Sequence, residues 1–399
     1  MQSLLIKNIA RLVTMNSPKV ITNAAVFCEA GKVKWLGAEK DLPKNLNATE
    51  TVSAEGGVVM PGLIDCHTHL VHAGSRQHEF NQRSQGVDYL EIAKAGGGIL
   101  STVLSTRKAT AEQLYQAANE RLKNAMKLGT TTFEIKTGYG LELKTELKMV
   151  EVIGRLQKDF PGRVHGTFLG AHVVPREYKN NRKAYLRLLL EQMLPQVAET
   201  RVCSACDVFV EEGAFTFAEA KQICTFAKEL GFEIRLHVDQ FADGKGGALA
   251  AELGALDADH LDYVSAESIA AMAKANVVGV ALPGASFFTG GKNYPPARKM
   301  IDAGVKVAIA TDYNPGTNPN YNLWLAGTIA ATQMQMSLDE VLQAITVNAA
   351  QALKINAGKI QVGETADLII LAAADEYYPL YNYGTSHVRQ VILAGKCCK

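Results

Sequence analysis

Histidines 67 and 69 stand one residue apart at the end of an apolar run, "MPGLIDCHTHL" (60–70). On an extended chain, residues i and i+2 leave the same face, so the two imidazoles converge; on a helix they would diverge. That spacing is a metal-ligand pattern. Similar residue types recur, each closing a stretch that reads as a strand: His172 just beyond "FLGA", His237 in "FEIRLH", His260 in "ALDADHL" and Asp312 in "IATDYNPGTNP". Neutral imidazoles with a carboxylate suit Zn²⁺ or Fe²⁺/Fe³⁺, and three or four such ligands leave a position for a water that ionises near neutral pH. Any one of these histidines alone would more often be a hydrogen-bonded core residue. The ordered set points instead to metal-assisted hydrolysis. Of the nine histidines, His78, His165 and His387 fall elsewhere, and His72 lies in a nearby loop.

Residues so far apart in sequence meet only if a fold gathers strand ends. Strands are expected at 58–66, 131–135, 164–170, 206–211, 232–237, 255–261, 277–282 and 305–311. Amphipathic helices lie between them at 111–128, 183–199, 217–230 and 265–275, with a last one near 337–355. The first carries Leu114, Ala118, Leu122 and Ala125 on one stripe. Eight strands each followed by a helix predict an α/β architecture, a (β/α)8 TIM barrel whose site lies at the C-terminal strand ends. A doubly wound sheet is the alternative, but no Gly-rich phosphate turn follows the first strand. Both chain ends read differently, as short strands between Asn, Gly and Pro turns. Residues 1–58 and 360–399 are therefore expected to form one small β-sandwich domain beside a barrel at 59–359.

The composition of the 399 residues, 47% hydrophobic and 20% charged with a net charge of +1, provides no field that would favour nucleic acid. No apolar run approaches the ~18 residues of a membrane span, and "MQSLLIKNIARLVTM" lacks the marks of a signal peptide. Seven scattered cysteines argue for reduced thiols and a cytoplasmic setting. Cys203 and Cys206 form a CxxC without further soft ligands, so ordinary thiols are expected there rather than zinc.

The segments "PGLIDCHTHL", "LHVDQF", "DHL" and "ATDYNPGT" resemble the amidohydrolase superfamily, metal-dependent hydrolases of C–N bonds, over nearly the whole chain. Within it the likeness is closest to the histidine-degradation hydrolases that open 4-imidazolone-5-propanoate to N-formimino-L-glutamate. It rests on "HAGSRQHEF" (72–80), "AGGGI" (95–99), "KTGYGL" (136–141), "FLGAH" (168–172) and "DYNPGT" (312–317). The resemblance makes His67, His69, His237 and Asp312 the metal shell, with His260 beside the ion to orient the attacking water. It assigns Arg76 and Tyr139 to substrate binding, His172 and Gln240 to holding the ring, and Asn314, Gly316 and Thr317 to the loop that meets substrate or product. A homodimer is also implied. Asp312 would take the proton of the water.

Many members carry glutamate where this chain has Gln240, and a glutamine cannot accept a full proton, which leaves it a polarising role. Arg76 offers a planar fork suited to the propionate carboxylate. Tyr139, between Gly138 and Gly140, is expected to be exposed at the site. Two-metal members place a carboxylated lysine at the end of strand four; this chain has Glu211 and Glu212 there, so one ion is expected. Lys136 closes strand two and is read as a substrate-loop or structural residue. Alternatives are a heterocycle deaminase of the same superfamily and a catalytically inactive scaffold of this fold.

Overall fold

The computed structural model describes residues 2–87, 91–92 and 97–398. Ala95 and Gly96 of "AGGGI" lie outside the described residues. Eight parallel strands follow one another around the barrel in sequence order: Leu63–Asp65, Thr130–Lys136, Arg163–Ala171, Cys203–Val210, Glu233–Val238, Asp257–His260, Val278–Ala281 and Val307–Ile309. Each expected strand is present, with its ends displaced by a few residues.

The first differs in kind. The continuous run 58–66 is broken: Val58–Pro61 pairs with Ser3–Val13 and Leu368–Leu371 in a separate sheet, and only Leu63–Asp65 enters the barrel. Gly62 is the crossing point. A Cβ there would lie 2.3 Å from the Thr131 side chain, so the chain can pass this close to strand two only as glycine.

Strands one and eight close the ring without a regular ladder. The Asp65 carboxylate accepts the Thr311 N–H (3.0 Å) and hydroxyl (2.6 Å), and just beyond, Asp312 N donates to His67 O (3.0 Å) and His69 N to Tyr313 O (2.9 Å). Burial pushes the Asp65 carboxyl up to about 7 despite the two Thr311 bonds. Asp65→Asn removes an acceptor from this buried seam. The expected loss is about 1–3 kcal/mol of stability, measured as a lowered urea midpoint with an unchanged m-value.

The helix Ala111–Met126 begins with a Thr110–Gln113 capping box and buries the expected stripe of Leu114, Ala118, Leu122 and Ala125. Two other expected helices are interrupted. The 183–199 pattern is Arg182–Leu188, a π-turn at Leu189–Met193, then Leu194–Thr200. The 337–355 pattern is two helices, Leu338–Ala344 and Val347–Ala352, parted at Thr346, whose φ of −134° and ψ of −93° are not helical.

The two chain ends share a single sheet in the order Lys396–Cys398, Val388–Leu393, Leu368–Leu371, Val58–Pro61, Ser3–Val13, Val20–Glu29, Lys32–Ala38, with Glu50–Ser53 also on Ser3–Val13. Its core, with Leu4, Ile6, Leu12, Val26, Val59, Ile370 and Ile392, is distinct from that of the barrel. The strands Val58–Pro61 and Leu368–Leu371 are apolar and buried on both faces: Val59 and Ile370 join this core, while Val58, Met60, Ile369 and Leu371 pack into the barrel core. Among the described residues no helix is long and apolar enough to cross a membrane.

Candidate active site

Four histidines and one aspartate converge at the C-terminal mouth of the barrel. The Nε2 atoms of His67 and His69 lie 3.6 and 3.4 Å from Asp312 Oδ1. His67, His69 and Asp312 form one group able to hold an ion, and His67, His237 and His260 form another. His260 and Asp312 have φ values of 76° and 51°. Such left-handed backbone at non-glycine residues costs energy and persists where the surroundings enforce it. Here it turns both side chains inward as their strands end.

Two of these rings are fixed from behind. His67 Nδ1 lies 2.7 Å from Asp259 Oδ2, and His237 Nδ1 lies 3.0 Å from Asp207 Oδ2. A histidine that donates Nδ1–H to a carboxylate presents a bare Nε2 lone pair. Both Nε2 atoms are buried and make no hydrogen bond among the described residues. Leaving them bare costs about 1–3 kcal/mol each, and a cation taking the lone pairs removes that cost. The donor set therefore fits a metal ion. Burial, reinforced by Lys136 and the neighbouring rings, holds His67 well below the usual imidazole range, and burial does the same for His69 and His260. Burial thus favours the neutral form of these three rings, the form a metal ligand needs. Burial also pushes the Asp312 carboxyl up to about 8, against hydrogen bonds from Asn314 and Thr317.

A cavity of about 370 Å³ opens above this cluster, lined by His69, His237, His260 and Asp312 on its floor. Arg76, Tyr139, His172, Gln240, Asn314 and Thr317 form its walls, with Glu211 and Glu212 at its edge. The His172 ring stacks on His69 at 5.3 Å and 12°, and its Nδ1 lies 3.1 Å from Gly138 O. Tyr139 packs against both rings at 5.6 and 5.5 Å. It is presented by a loop whose Gly138, Gly140 and Leu141 amides all point at the buried Glu146 carboxylate. Arg76 is 7% exposed, and its Nε and Nη2 each lie 2.8 Å from Glu79 Oε2. The other Glu79 oxygen accepts from Gly98 N and Ser101 Oγ. The arginine is thus aimed by an anchored carboxylate.

Residues 58–398 match the Amidohydrolase family model. An imidazolonepropionase of Alkaliphilus oremlandii (strain OhILAs) is 42% identical over 407 residues, spanning 98% of this chain and 96% of that protein. One from Bacillus cytotoxicus is 43% identical, spanning 98% and 95%. The chain belongs to the imidazolonepropionase family of amidohydrolases. Solved structures with the same fold include a Klebsiella pneumoniae 5-methylcytosine deaminase bound to 5-fluorocytosine (TM-score 0.78, 15% identity, 99% of this chain and 97% of that one). Another is a Xanthomonas campestris adenosine deaminase with bound zinc (TM-score 0.73, 18% identity, 99% and 92%).

Two expectations for this family member need correction. Tyr139 is buried, 3% exposed, because His69 and His172 flank its ring in the cavity wall. Gly316 is not on the cavity wall. It backs Arg76: a Cβ at Gly316 would sit 1.8 Å from Arg76 Nη1. Gly316→Ala should leave the fold intact, since a side-chain end can move, while displacing the guanidinium. The expected result is a KM raised about tenfold, the worth of one weakened charge-assisted bond, with thermal stability unchanged. Asn314 serves the loop as much as the cavity. Its Oδ1 accepts from Gly316 N and Thr317 N, both at 2.8 Å, and its Nδ2 donates to Asp312 O at 2.8 Å.

Asp207, Asp259, Glu79 and Glu146 were not marked by spacing. Asp207 and Asp259 did carry a signal, as acids inside otherwise buried strand text, where a charge requires a partner. Lys136 is fully buried beneath the histidines, in no substrate loop. Cys203 and Cys206 are buried free thiols, and among the described residues no metal-capable group includes a cysteine.

Proposed function

We infer that this chain hydrolyses the ring amide bond of 4-imidazolone-5-propanoate to give N-formimino-L-glutamate, a step in histidine degradation. One observation carries the reading: a single cavity joins bare imidazole nitrogens and a carboxylate on its floor to a carboxylate-aimed arginine in its wall. The 42–44% identity to proteins named imidazolonepropionase supports the substrate.

His67, His69, His237 and Asp312 would hold one zinc or iron ion, which when bound acidifies a water and polarises the ring carbonyl. Asp312 takes the proton of that water, and His260 orients it. Oxygen adds to the carbonyl carbon, the C–N bond breaks, and the proton passes to the leaving ring nitrogen. The carbonyl carbon becomes the α-carboxylate of the opened product, still bonded to the carbon that bears the propionate arm. His172 donates its Nδ1–H to Gly138 O, so its Nε2 is left as an acceptor for a substrate N–H. Burial holds this ring down to about 3, which favours its neutral form. Gln240 is anchored through its own amide and that of Phe241, which donate to Glu211 Oε2 at 3.1 and 3.0 Å, leaving its side chain to hydrogen-bond the ring. Arg76 holds the propionate end.

The direct test supplies imidazolone propionate and follows the loss of its ultraviolet absorbance, with guanine as a parallel substrate. Turnover of the imidazolone alone is expected. Turnover of guanine alone would replace this reading with a heterocycle deaminase. Metal analysis of the purified protein separates zinc from iron.

A further inference from the structure

The Lys136 ammonium lies inside the barrel directly beneath the histidines, with no exposed surface. Three carboxylates surround it: Asp207 Oδ2 at 2.8 Å, Glu134 Oε1 at 3.0 Å and Asp259 Oδ2 at 3.4 Å. The same two carboxylates hold the ligand rings: Asp259 Oδ2 is the very atom that faces His67 Nδ1, and Asp207, which meets Lys136 through Oδ2, takes the His237 Nδ1 hydrogen bond on Oδ1 at 3.1 Å. One cation therefore sits at the junction of two carboxylate–histidine pairs that come from different strands. Without it, two buried carboxylates would face each other across a low-dielectric interior, and mutual repulsion would turn them away from the imidazoles or protonate them. Either change frees the rings to rotate or to change tautomer. Glu134 completes the device, since its second oxygen accepts the Thr68 amide at 3.3 Å, between the two histidines of the HxH pair.

We propose that Lys136 is a positioning residue for the metal centre, acting through Asp207 and Asp259 to hold His237 and His67 in ligating orientation. This rests on the metal reading above. It concerns a residue that touches neither ion nor substrate.

The test measures Co²⁺ binding to the metal-stripped full chain by competition with a chelator, together with the visible spectrum of the bound ion. Wild type should bind one Co²⁺. Lys136→Met, checked for folding by circular dichroism and melting, should bind it about 10–100-fold more weakly, the usual cost of losing an outer partner, with a shifted spectrum. In an Asp259→Asn background the same substitution should cost less, because the path it acts through is already cut. A folded Lys136→Met with wild-type affinity and spectrum would overturn the proposal, as would fully additive losses. Should Lys136→Met not fold, Asp207→Asn and Asp259→Asn decide singly, and unchanged Co²⁺ affinity in both would overturn it. If wild type itself bound no Co²⁺, the metal reading would fall and the role of Lys136 with it, an outcome distinct from a Lys136→Met chain that matches a metal-binding wild type, which overturns the role of Lys136 alone.

Discussion

Asp312→Asn should lower ring-opening by about 10³-fold, within the range for removing a positioned proton acceptor, and should weaken metal retention as well. The reasoning is geometric. Asp312 Oδ1 lies 3.6 and 3.4 Å from the Nε2 atoms of His67 and His69, so in the proposed function one atom would serve both as donor to the ion and as neighbour of the water. Asparagine keeps the shape and the bond from Asp312 N to His67 O that ties the strand ends, so the fold should survive. It loses the charge and the proton affinity together. Metal content per chain and single-turnover rate are the two measurements. An Asp312→Asn enzyme with full metal content and full rate would show that the carboxylate does neither job.

Arg76→Met should lower kcat/KM for the propionate substrate by about 10²-fold, since hydrogen bonds to charged groups contribute roughly 1.5–3 kcal/mol each, with most of the change in KM. The guanidinium is aimed by Glu79, which is itself fixed by Gly98 N and Ser101 Oγ, so little reorganisation is needed when a carboxylate arrives. Lysine should rescue only in part, because a point charge cannot reproduce the planar fork. The control is an analogue whose carboxylate is replaced by a neutral amide. Wild type and Arg76→Met should differ little on it, and an equal loss on both substrates would make Arg76 a scaffold residue.

How much of this was legible before the fold was known varies with the range of each interaction. The eight strands and the stripe of Ala111–Met126 could be read because alternation and the 3.6-residue period are local. Helix interruptions at Leu189–Met193 and Thr346 could not, since the apolar pattern runs through both and tertiary packing sets the break. The split at Gly62 was likewise hidden: Pro61 and Gly62 mark a bend, but the sheet each half joins depends on partners at Leu368–Leu371 and Thr130–Lys136.

The amino-acid order by itself determined the barrel class and which donors would face one mouth. A barrel sends every strand end to the same side, so residue type at each end already states what the mouth contains. Only the tertiary structure decided how those donors are held. His67 meets Asp259 across 192 positions of sequence, and a single Lys136 ammonium joins that pair to His237 and Asp207. The depth of Tyr139 and the support of Arg76 by Gly316 belong with these. Such contacts depend on strand register and on which oxygen a buried charge can reach, and both are fixed only when the ring of strands closes.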